Sequence, residues 1–361
     1  MTDSTSEHGR RGGGWRIWVG MAVAAVLGAV IGGVVVNANK SDAGGPRAGA
    51  PAQQAAATCE ATQVAEKTLP SVVTISASKG NTGGTGSGEV IRKEGYILTN
   101  NHVISLAADG GKVSVLFNDG SSVPATITGR DPKADLAVIK VEGQSNLQVI
   151  PFGKSSDVEV GQPVVALGAP LGLSGTVTSG IVSALDRTIQ VPGDNGEMAL
   201  LVSAVQTDAA INPGNSGGAL VNCASELIGV PSAGATIPSS EAGGGSAGDI
   251  GLGFAIPVDL AKSISDEIIE TGTVTHAYFG VSVVTVPSGG VYLRSVVPGG
   301  PAAKAGLQAG DIITAIDGNP VNSTTDLAAV TLTKNPGDVI TVDYTRGGQK
   351  ASTKLTLGAE R

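Results

Sequence analysis

Several residue types are scarce in this chain of 361 residues, and each scarcity excludes a class of protein. Aromatic residues make up only 3% of the sequence while 54 positions are glycine, which disfavours a helical bundle and suits a β-rich, loop-rich fold. The two cysteines form no C-x-x-C pair, so a zinc or redox site has no support. Acidic residues outnumber basic ones by 31 to 23, which argues against nucleic acid as a partner.

Only three histidines are present, and their positions matter. His8 precedes an apolar segment, and His276 lies in a C-terminal region of different character. His102 is therefore the one histidine available to the segment TDAAINPGNSGG, in which Ser216 stands between Asn215 and two glycines. A serine hydroxyl becomes a useful nucleophile when a base removes its proton and a pocket stabilises the negative charge formed on the substrate.

The segments around these residues contain the other groups that serine catalysis uses. His102 follows a short apolar run in YILTNNHVI, and Asp135 precedes an apolar strand in ADLAVIK. An aspartate orients the imidazole in a catalytic triad, and His, Asp, Ser is one of the known chain orders. Gly214 has no Cβ and can turn its N–H the same way as that of Ser216, which would form an oxyanion hole. Each residue alone has an ordinary interpretation as a turn, cap or core residue; the combination favours catalysis.

The segments TNNHVI, DLAVIK and GNSGG, followed by PAAKAGL and AGDII, resemble the HtrA (Deg) family of trypsin-like serine proteases. The resemblance implies an all-β protease domain of two β-barrels and a C-terminal α+β PDZ domain. It implies that Ser216 is the nucleophile, His102 the general base and Asp135 the orienting acid, with the N–H groups of Gly214 and Ser216 as the oxyanion hole. It also implies unfolded or misfolded protein substrates, no metal or cofactor, and the homotrimer usual in the family.

The residues before Ser216 carry information on specificity. Ala210 stands six residues before the serine, where trypsin-like enzymes that cut after basic residues carry an acid. We therefore expect a specificity pocket floored by Ala210 and Ile211, with Leu252 nearby, that takes small or medium apolar side chains. Asn215 replaces the acid that digestive relatives use to bind a newly cut N-terminus, so we do not expect activation by N-terminal clipping.

Residues 273–361 are interpreted as the PDZ domain. A tetrapeptide near its start resembles the carboxylate-binding loop of HtrA-type PDZ domains: Tyr278, Phe279, Gly280 and Val281. In such a loop, successive N–H groups bind the C-terminal carboxylate of a peptide, and the peptide adds to the sheet as a strand. The alternative is that the two aromatic residues belong to the core.

Three local expectations concern secondary structure. Residues 259–272 have apolar positions at helical spacing and are predicted to form a connecting helix, with Asp259 as N-cap and Gly272 just beyond its end. The glycine-rich segment from Thr82 to Gly88 is predicted to be a turn. The glycine- and serine-rich segment from Pro231 to Gly248 is predicted to be a mobile loop.

The N-terminal region is predicted to anchor the protein. Residues 1–16 form a polar tail, and residues 17–36 are uncharged, long enough as a helix to span about 30 Å of bilayer. Arginines before this run place the N-terminus in the cytoplasm, and residues 37–58 form a linker to the protease domain at 59–258. The alternative is a signal peptide cleaved after small residues near position 38. In either case the protease and PDZ domains lie outside the cytoplasm.

Both cysteines follow this segment, so an extracytoplasmic disulfide between Cys59 and Cys223 is permitted; two unrelated thiols are the alternative. Two other interpretations of the whole chain also stay open. One is a membrane-anchored scaffold that binds clients through the PDZ domain and an apolar cleft with little hydrolysis. The other is a processing protease for one envelope substrate.

Overall fold

The computed structural model describes residues 59–169, 175–238 and 246–360. The predicted tail, membrane helix and linker lie outside these residues. Among the helices of the described ranges, none is long and apolar enough to span a membrane.

A first group of six strands closes into a β-barrel with the order β1-β2-β3-β6-β5-β4. The chain enters it through helix α1, Ala61–Thr68. The strands are β1 Val72–Lys79, β2 Thr82–Val90, β3 Tyr96–Thr99, β4 Lys112–Leu116, β5 Ser122–Asp131 and β6 Leu136–Val141. A single helical turn, α2, Asn101–Ile104, follows β3.

A second group of six strands closes into another barrel with the order β10-β11-β12-β9-β8-β7. The strands are β7 Pro163–Gly168, β8 Thr176–Pro192, β9 Met198–Thr207, β10 Ala219–Val221, β11 Leu227–Pro238 and β12 Ser246–Pro257. Each barrel has its own apolar cluster, and a third cluster contains side chains from both barrels and from the helix that follows them. This shared core joins the barrels, so the groups at their boundary are held in place by packing on both sides.

The predicted turn from Thr82 to Gly88 was wrong, because this segment belongs to strand β2 and pairs along its whole length with β1. At Gly88 the glycine meets a packing need within the strand. A Cβ at Gly88 would lie 2.7 Å from the side chains of both Ile75 and Ile97. The strand therefore carries glycine where the barrel interior has no room for a side chain.

The connecting helix α3 spans Val258–Thr271 and ends at Gly272, whose φ of 81° is the left-handed conformation expected there. The predicted N-cap was wrong, since Pro257 holds that position without a side-chain cap. Asp259 instead pairs with Ser155: its carboxylate accepts the Ser155 N–H at 3.1 Å, and its own N–H donates to the Ser155 hydroxyl at 3.0 Å.

The predicted loop from Pro231 to Gly248 was too long. Strand β11 continues to Pro238 and β12 begins at Ser246, and the two pair across three register shifts. Such irregularities absorb extra residues within a strand pair, so glycine and serine content alone did not reveal the strands.

The C-terminal region is a separate sheet with the order β14-β15-β16-β18-β19, together with two short helices. Its elements are β13 Ala277–Tyr278, β14 Val281–Thr285, β15 Val291–Val296, α4 Pro301–Lys304, β16 Ile312–Ile316, β17 Asn319–Pro320, α5 Thr324–Thr333, β18 Val339–Arg346, β19 Gln349–Thr356 and β20 Gly358–Ala359. Helix α5 begins with a capping box between Ser323 and Asp326. Leu332 of α5 packs with Leu200 and Val202 of β9, which joins this region to the second barrel.

Glu89 is a carboxylic acid inside the shared core. It is fully buried, and its strand neighbours Val72 and Leu98 belong to the cluster between the barrels. Neither carboxyl oxygen has a hydrogen-bond partner. Burial raises the pKa of Glu89 well above its ordinary value, and the residue's own backbone N–H, which is too poorly placed to count as a hydrogen-bond partner, only partly opposes this. The side chain is therefore held in its neutral form.

Replacing Glu89 with glutamine is expected to stabilise the protein increasingly as the pH rises. The unfolded carboxyl releases its proton near its ordinary pKa while the folded one retains it, so wild-type stability falls by about 1.4 kcal/mol per pH unit above that point, until the buried group ionises. Thermal unfolding from pH 5 to 8 should show a Tm difference that grows with pH. Glu94→Gln, in an exposed turn, should show no such trend. A Tm difference between Glu89→Gln and the wild type that is constant or shrinks with pH would contradict the claim that the Glu89 carboxyl is neutral.

Candidate active site

His102 and Asp135 meet because β3 pairs with β6. Thr99 lies opposite Ala137 in that pair, so the residues just after β3 lie beside the residue just before β6. The carbonyl of Asp135 accepts hydrogen bonds from the Asn100 side chain at 2.9 Å and from the Asn101 N–H at 3.1 Å. These two bonds hold the start of α2 against the backbone of Asp135. They do not involve the side chains of His102 and Asp135.

The Asp135 carboxylate is buried and receives the His102 imidazole directly. His102 Nδ1 lies 2.9 Å from Oδ2 and 3.1 Å from Oδ1 of Asp135, and the His102 backbone N–H donates to Oδ1 at 3.0 Å. Asp135 also has a φ of 55°, a conformation that costs energy for residues other than glycine. The His102 side chain remains 36% exposed. With Nδ1 held by the carboxylate, Nε2 is the nitrogen that can accept a proton.

Ser232 links these two residues to Ser216, and our reading of the sequence missed it. Its hydroxyl donates to Oδ2 of Asp135 at 2.5 Å, and its carbonyl accepts from the Ser216 hydroxyl at 3.4 Å. Among the described residues no hydrogen bond joins Ser216 to His102, so the hydroxyl rests on the Ser232 carbonyl. No local signal marks Ser232, because its role depends on the pairing of β11 with β12.

Ser87 of the first barrel holds the Ser216 segment in place and was also not predicted. Its N–H donates to the Ser216 carbonyl at 2.9 Å. Its buried hydroxyl donates to the Gly214 carbonyl at 2.6 Å and accepts the Ala169 N–H at 2.8 Å. A Cβ at Gly217 would collide with the Ser87 carbonyl. The segment, which joins β9 to β10 of the second barrel, therefore lies in close contact with the backbone of β2 in the first barrel.

The N–H groups of Gly214 and Ser216 are free to bind an oxyanion. Neither donates a hydrogen bond to any residue in the described ranges. Gly214 has a φ of 102°, a conformation that glycine adopts without strain, and its carbonyl is held by Ser87 on the other side. Two unused donors beside a hydroxyl are the arrangement that stabilises the charge of a tetrahedral intermediate.

The charges around His102 favour its protonated form. Partial burial acts to lower the pKa of His102, but the hydrogen bond and charge of Asp135 outweigh it, and the charge of Asp194 adds to them, so the net pKa is raised. Asp194 lies in the turn between β8 and β9 and forms an ion pair with Arg130. It also accepts a hydrogen bond at 3.1 Å from the side chain of Asn101, the neighbour of His102.

Asp194→Asn is expected to move the acidic limb of the pH–activity profile to lower pH. The base must be neutral to act, and removing a negative charge that raises the pKa of His102 lets it lose its proton at lower pH. The Arg130 charge left without its partner acts in the same direction. The measurement is kcat/KM for a peptide substrate against pH, with the exposed Asp157→Asn as control. A limb that stays in place or moves to higher pH would contradict this.

The residues assigned to the specificity pocket lie on two adjoining segments. Ala210 is half-buried and Ile211 is buried, and the Ala210 carbonyl accepts the Thr178 hydroxyl at 3.0 Å. Gly253 lies against Ile211, so that a Cβ there would collide with the Ile211 side chain, and Leu252 precedes Gly253 on β12. No charged residue stands at Ala210, and the side chains of Ala210, Ile211 and Leu252 are all apolar.

Cys59 and Cys223 form a disulfide with Cα atoms 5.1 Å apart, which closes 164 residues of chain. The tetrapeptide beginning at Tyr278 joins β13 to β14 and lines a groove on the C-terminal region. Within the described part of the chain, no three His, Cys, Asp or Glu side chains group as metal ligands.

Comparison with known proteins shows the family of the chain. A family model described as a trypsin-like peptidase domain matches residues 86–230, and one described as a PDZ domain matches residues 277–357. The serine protease PepD of Mycobacterium tuberculosis is 45% identical over 94% of this chain and 77% of its own length. The periplasmic pH-dependent serine endoprotease DegQ of Escherichia coli is 38% identical over 76% of this chain.

The chain covers 59% of the length of DegQ, so part of that relative has no counterpart here. Among solved structures, the HtrA-type protease AlgW with a decapeptide has a TM-score of 0.65 at 32% identity and matches 83% of this chain and 99% of its own. Because the chain has two six-stranded barrels, matches a PDZ family model and is 45% identical to PepD over 77% of that protein's length, it belongs to the HtrA-type, trypsin-like serine proteases.

Proposed function

We propose that this protease is a membrane-anchored, extracytoplasmic endopeptidase that cleaves unfolded or misfolded proteins, with His102, Asp135 and Ser216 as its triad. One observation carries the assignment of these residues. His102 bonds to the Asp135 carboxylate, which accepts the Ser232 hydroxyl, and the Ser232 carbonyl accepts the Ser216 hydroxyl; the N–H groups of Gly214 and Ser216 donate to no acceptor among the described residues.

In the proposed mechanism, the Ser216 hydroxyl turns from the Ser232 carbonyl toward His102. Nε2 takes the proton as the oxygen attacks the scissile carbonyl, and Asp135 stabilises the imidazolium that forms. The two N–H groups bind the oxyanion. His102 then gives the proton to the leaving amine, and water hydrolyses the acyl-enzyme by the same steps.

The position of Ser216 at the boundary of the two barrels supports the proposed substrate class. A peptide bond reaches Ser216 only if the surrounding chain is extended between the barrels, and extended segments with exposed apolar residues are typical of unfolded proteins. The uncharged pocket at Ala210 and Ile211 suits small or medium apolar side chains. AlgW, a similar protein, has been solved with peptides, which supports peptide binding by this fold.

Two further parts of the proposal concern location and assembly. Residues 17–36 would hold the protein in the membrane, with the protease and PDZ domains outside the cytoplasm. The disulfide between Cys59 and Cys223 suits such an oxidising compartment. Because trimers are usual in the resembled family, we propose a homotrimer, which mass measurement of the detergent-solubilised protein would test.

The substrate proposal is tested by comparing native α-lactalbumin with its reduced and carboxymethylated form, which cannot fold. We expect the unfolded form to be cut at several sites after small or medium apolar residues, and the native form to resist. Binding of the unfolded form without cleavage would favour the scaffold, cleavage at one or two sites would favour the processing protease, and equal cleavage of both forms would contradict the proposal.

A further inference from the structure

The groove on the PDZ domain is built by two domains. It has a volume of about 240 Å³ and lies between β14 and α5, with Val281, Leu327 and Ala328 among its apolar lining residues. One lining residue, Lys133, comes from the protease domain. Strand β14 is at the edge of its sheet, so a peptide can add beside it as a strand.

One end of this groove has unused hydrogen-bond donors. The N–H groups of Phe279 and Gly280 donate to no acceptor in the residues that the structure describes. Gly280 has a φ of 78°, and successive N–H groups in such a turn point into a concavity that favours an anion. The terminal carboxylate of a peptide lying along β14 would be placed at this end.

Lys133 lies at the same end. Its carbonyl accepts the N–H of Leu200 at 2.8 Å, and Leu200 packs on Leu332 in the last turn of α5. Its ammonium group forms an ion pair with Glu360, whose N–H donates to the carbonyl of His276, just before β13. These contacts place the lysine beside the start of the carboxylate loop.

The charges in the groove form a simple pattern. Among the described residues that line it, Lys133 is the one cation and Glu360 the one anion, so the PDZ domain itself contributes a carboxylate and no positive charge. Both side chains of the pair are nearly half exposed, at 48% and 43%. An ion pair this exposed stabilises the protein by about 0–1 kcal/mol, so a ligand carboxylate that also receives N–H bonds can displace Glu360.

We propose that Lys133 of the protease domain binds the C-terminal carboxylate of a peptide in the PDZ groove, exchanging Glu360 for the ligand. The proposal rests on the peptide binding that the PDZ domain is proposed to perform, and adds the residue that selects for a free carboxylate. It makes the binding site incomplete in a PDZ domain without its protease domain. It also places the carboxylate of a bound peptide against Lys133, which stands two positions before Asp135 in the chain.

The test uses the full chain in detergent with Ser216→Ala, so that the probe is not cut. The probe is a fluorescein-labelled octapeptide ending in Ala-Leu-Val, made as the free acid and as the C-terminal amide, and binding is followed by fluorescence anisotropy. Lys133→Met should weaken binding of the free acid about tenfold, as loss of a charge-assisted hydrogen bond does. It should leave binding of the amide unchanged. Glu360→Gln should strengthen binding of the free acid.

Lys154→Met, which removes a lysine that does not line this groove, is the matched control and should leave both affinities unchanged. The preference for the free acid should also shrink at high salt. If Lys133→Met weakens acid and amide equally, weakens neither, or if the parent protein binds neither peptide, the assignment is overturned. Cleavage of unfolded α-lactalbumin by the wild type in that case would leave the proposed proteolysis standing, so the two failures are distinguishable.

Discussion

Ser216→Ala should lower kcat on an unfolded protein by about a million-fold, as loss of the nucleophile does in enzymes of this mechanism. The Ser216 hydroxyl, proposed to form the acyl-enzyme, donates to the Ser232 carbonyl, and in the described part of the chain the N–H groups of Gly214 and Ser216 donate to no acceptor. Binding should survive, because the cleft and the PDZ groove keep their apolar residues. The measurement pairs a casein digestion assay with affinity for a fluorescent casein.

Ser122→Ala is the matched control, since Ser122 is exposed on β5 of the first barrel and has no contact with the site. It should keep wild-type kcat. The two serine variants should therefore differ in activity, and residual digestion by the Ser216 variant within a hundredfold of wild type would contradict the assignment of the nucleophile.

Asp135→Asn should lower kcat by about ten-thousand-fold with little change in KM. The carboxylate accepts the imidazole N–H, the His102 backbone N–H and the Ser232 hydroxyl at once. An amide has one acceptor oxygen in place of two and offers N–H donors where acceptors are needed. The imidazole would then take the tautomer with its proton on Nε2, which cannot remove the proton of Ser216.

The fold should tolerate this change, because asparagine is among the residues that adopt the φ of 55° found at Asp135. A Tm close to that of the wild type would therefore accompany the loss of activity. Asp119→Asn, in an exposed turn, should change neither quantity. Retention of kcat within tenfold of the wild-type value would show that residue 135 does not orient the base.

Much of the site could be predicted because its candidate catalytic residues lie in short segments of characteristic sequence. His102 lies in the short helix after β3, Asp135 lies directly before β6, and Ser216 lies in a glycine-rich turn. Local sequence is informative at such strand boundaries and turns. Ser232 and Ser87 could not be found in this way. Both lie within strands, and each acquires its role from a partner more than 80 positions away in the chain.

The errors in secondary structure have a similar physical origin. Glycine between Thr82 and Gly88 indicated a turn, yet the barrel interior excludes a side chain at Gly88 and so selects glycine within a strand. Asp259 had the residue type of an N-cap, but Ser155 from a distant segment binds its carboxylate. In each case a tertiary contact overrides the local preference.

Labelling with a fluorophosphonate, followed by mass spectrometry of the peptides, tests the central claim most directly. The reagent reacts with a serine whose hydroxyl is activated by a neighbouring base. The account predicts a single phosphonylated residue, Ser216, and loss of the label in His102→Ala. A label on another serine, or one at Ser216 that persists at the same rate without the imidazole, would contradict it.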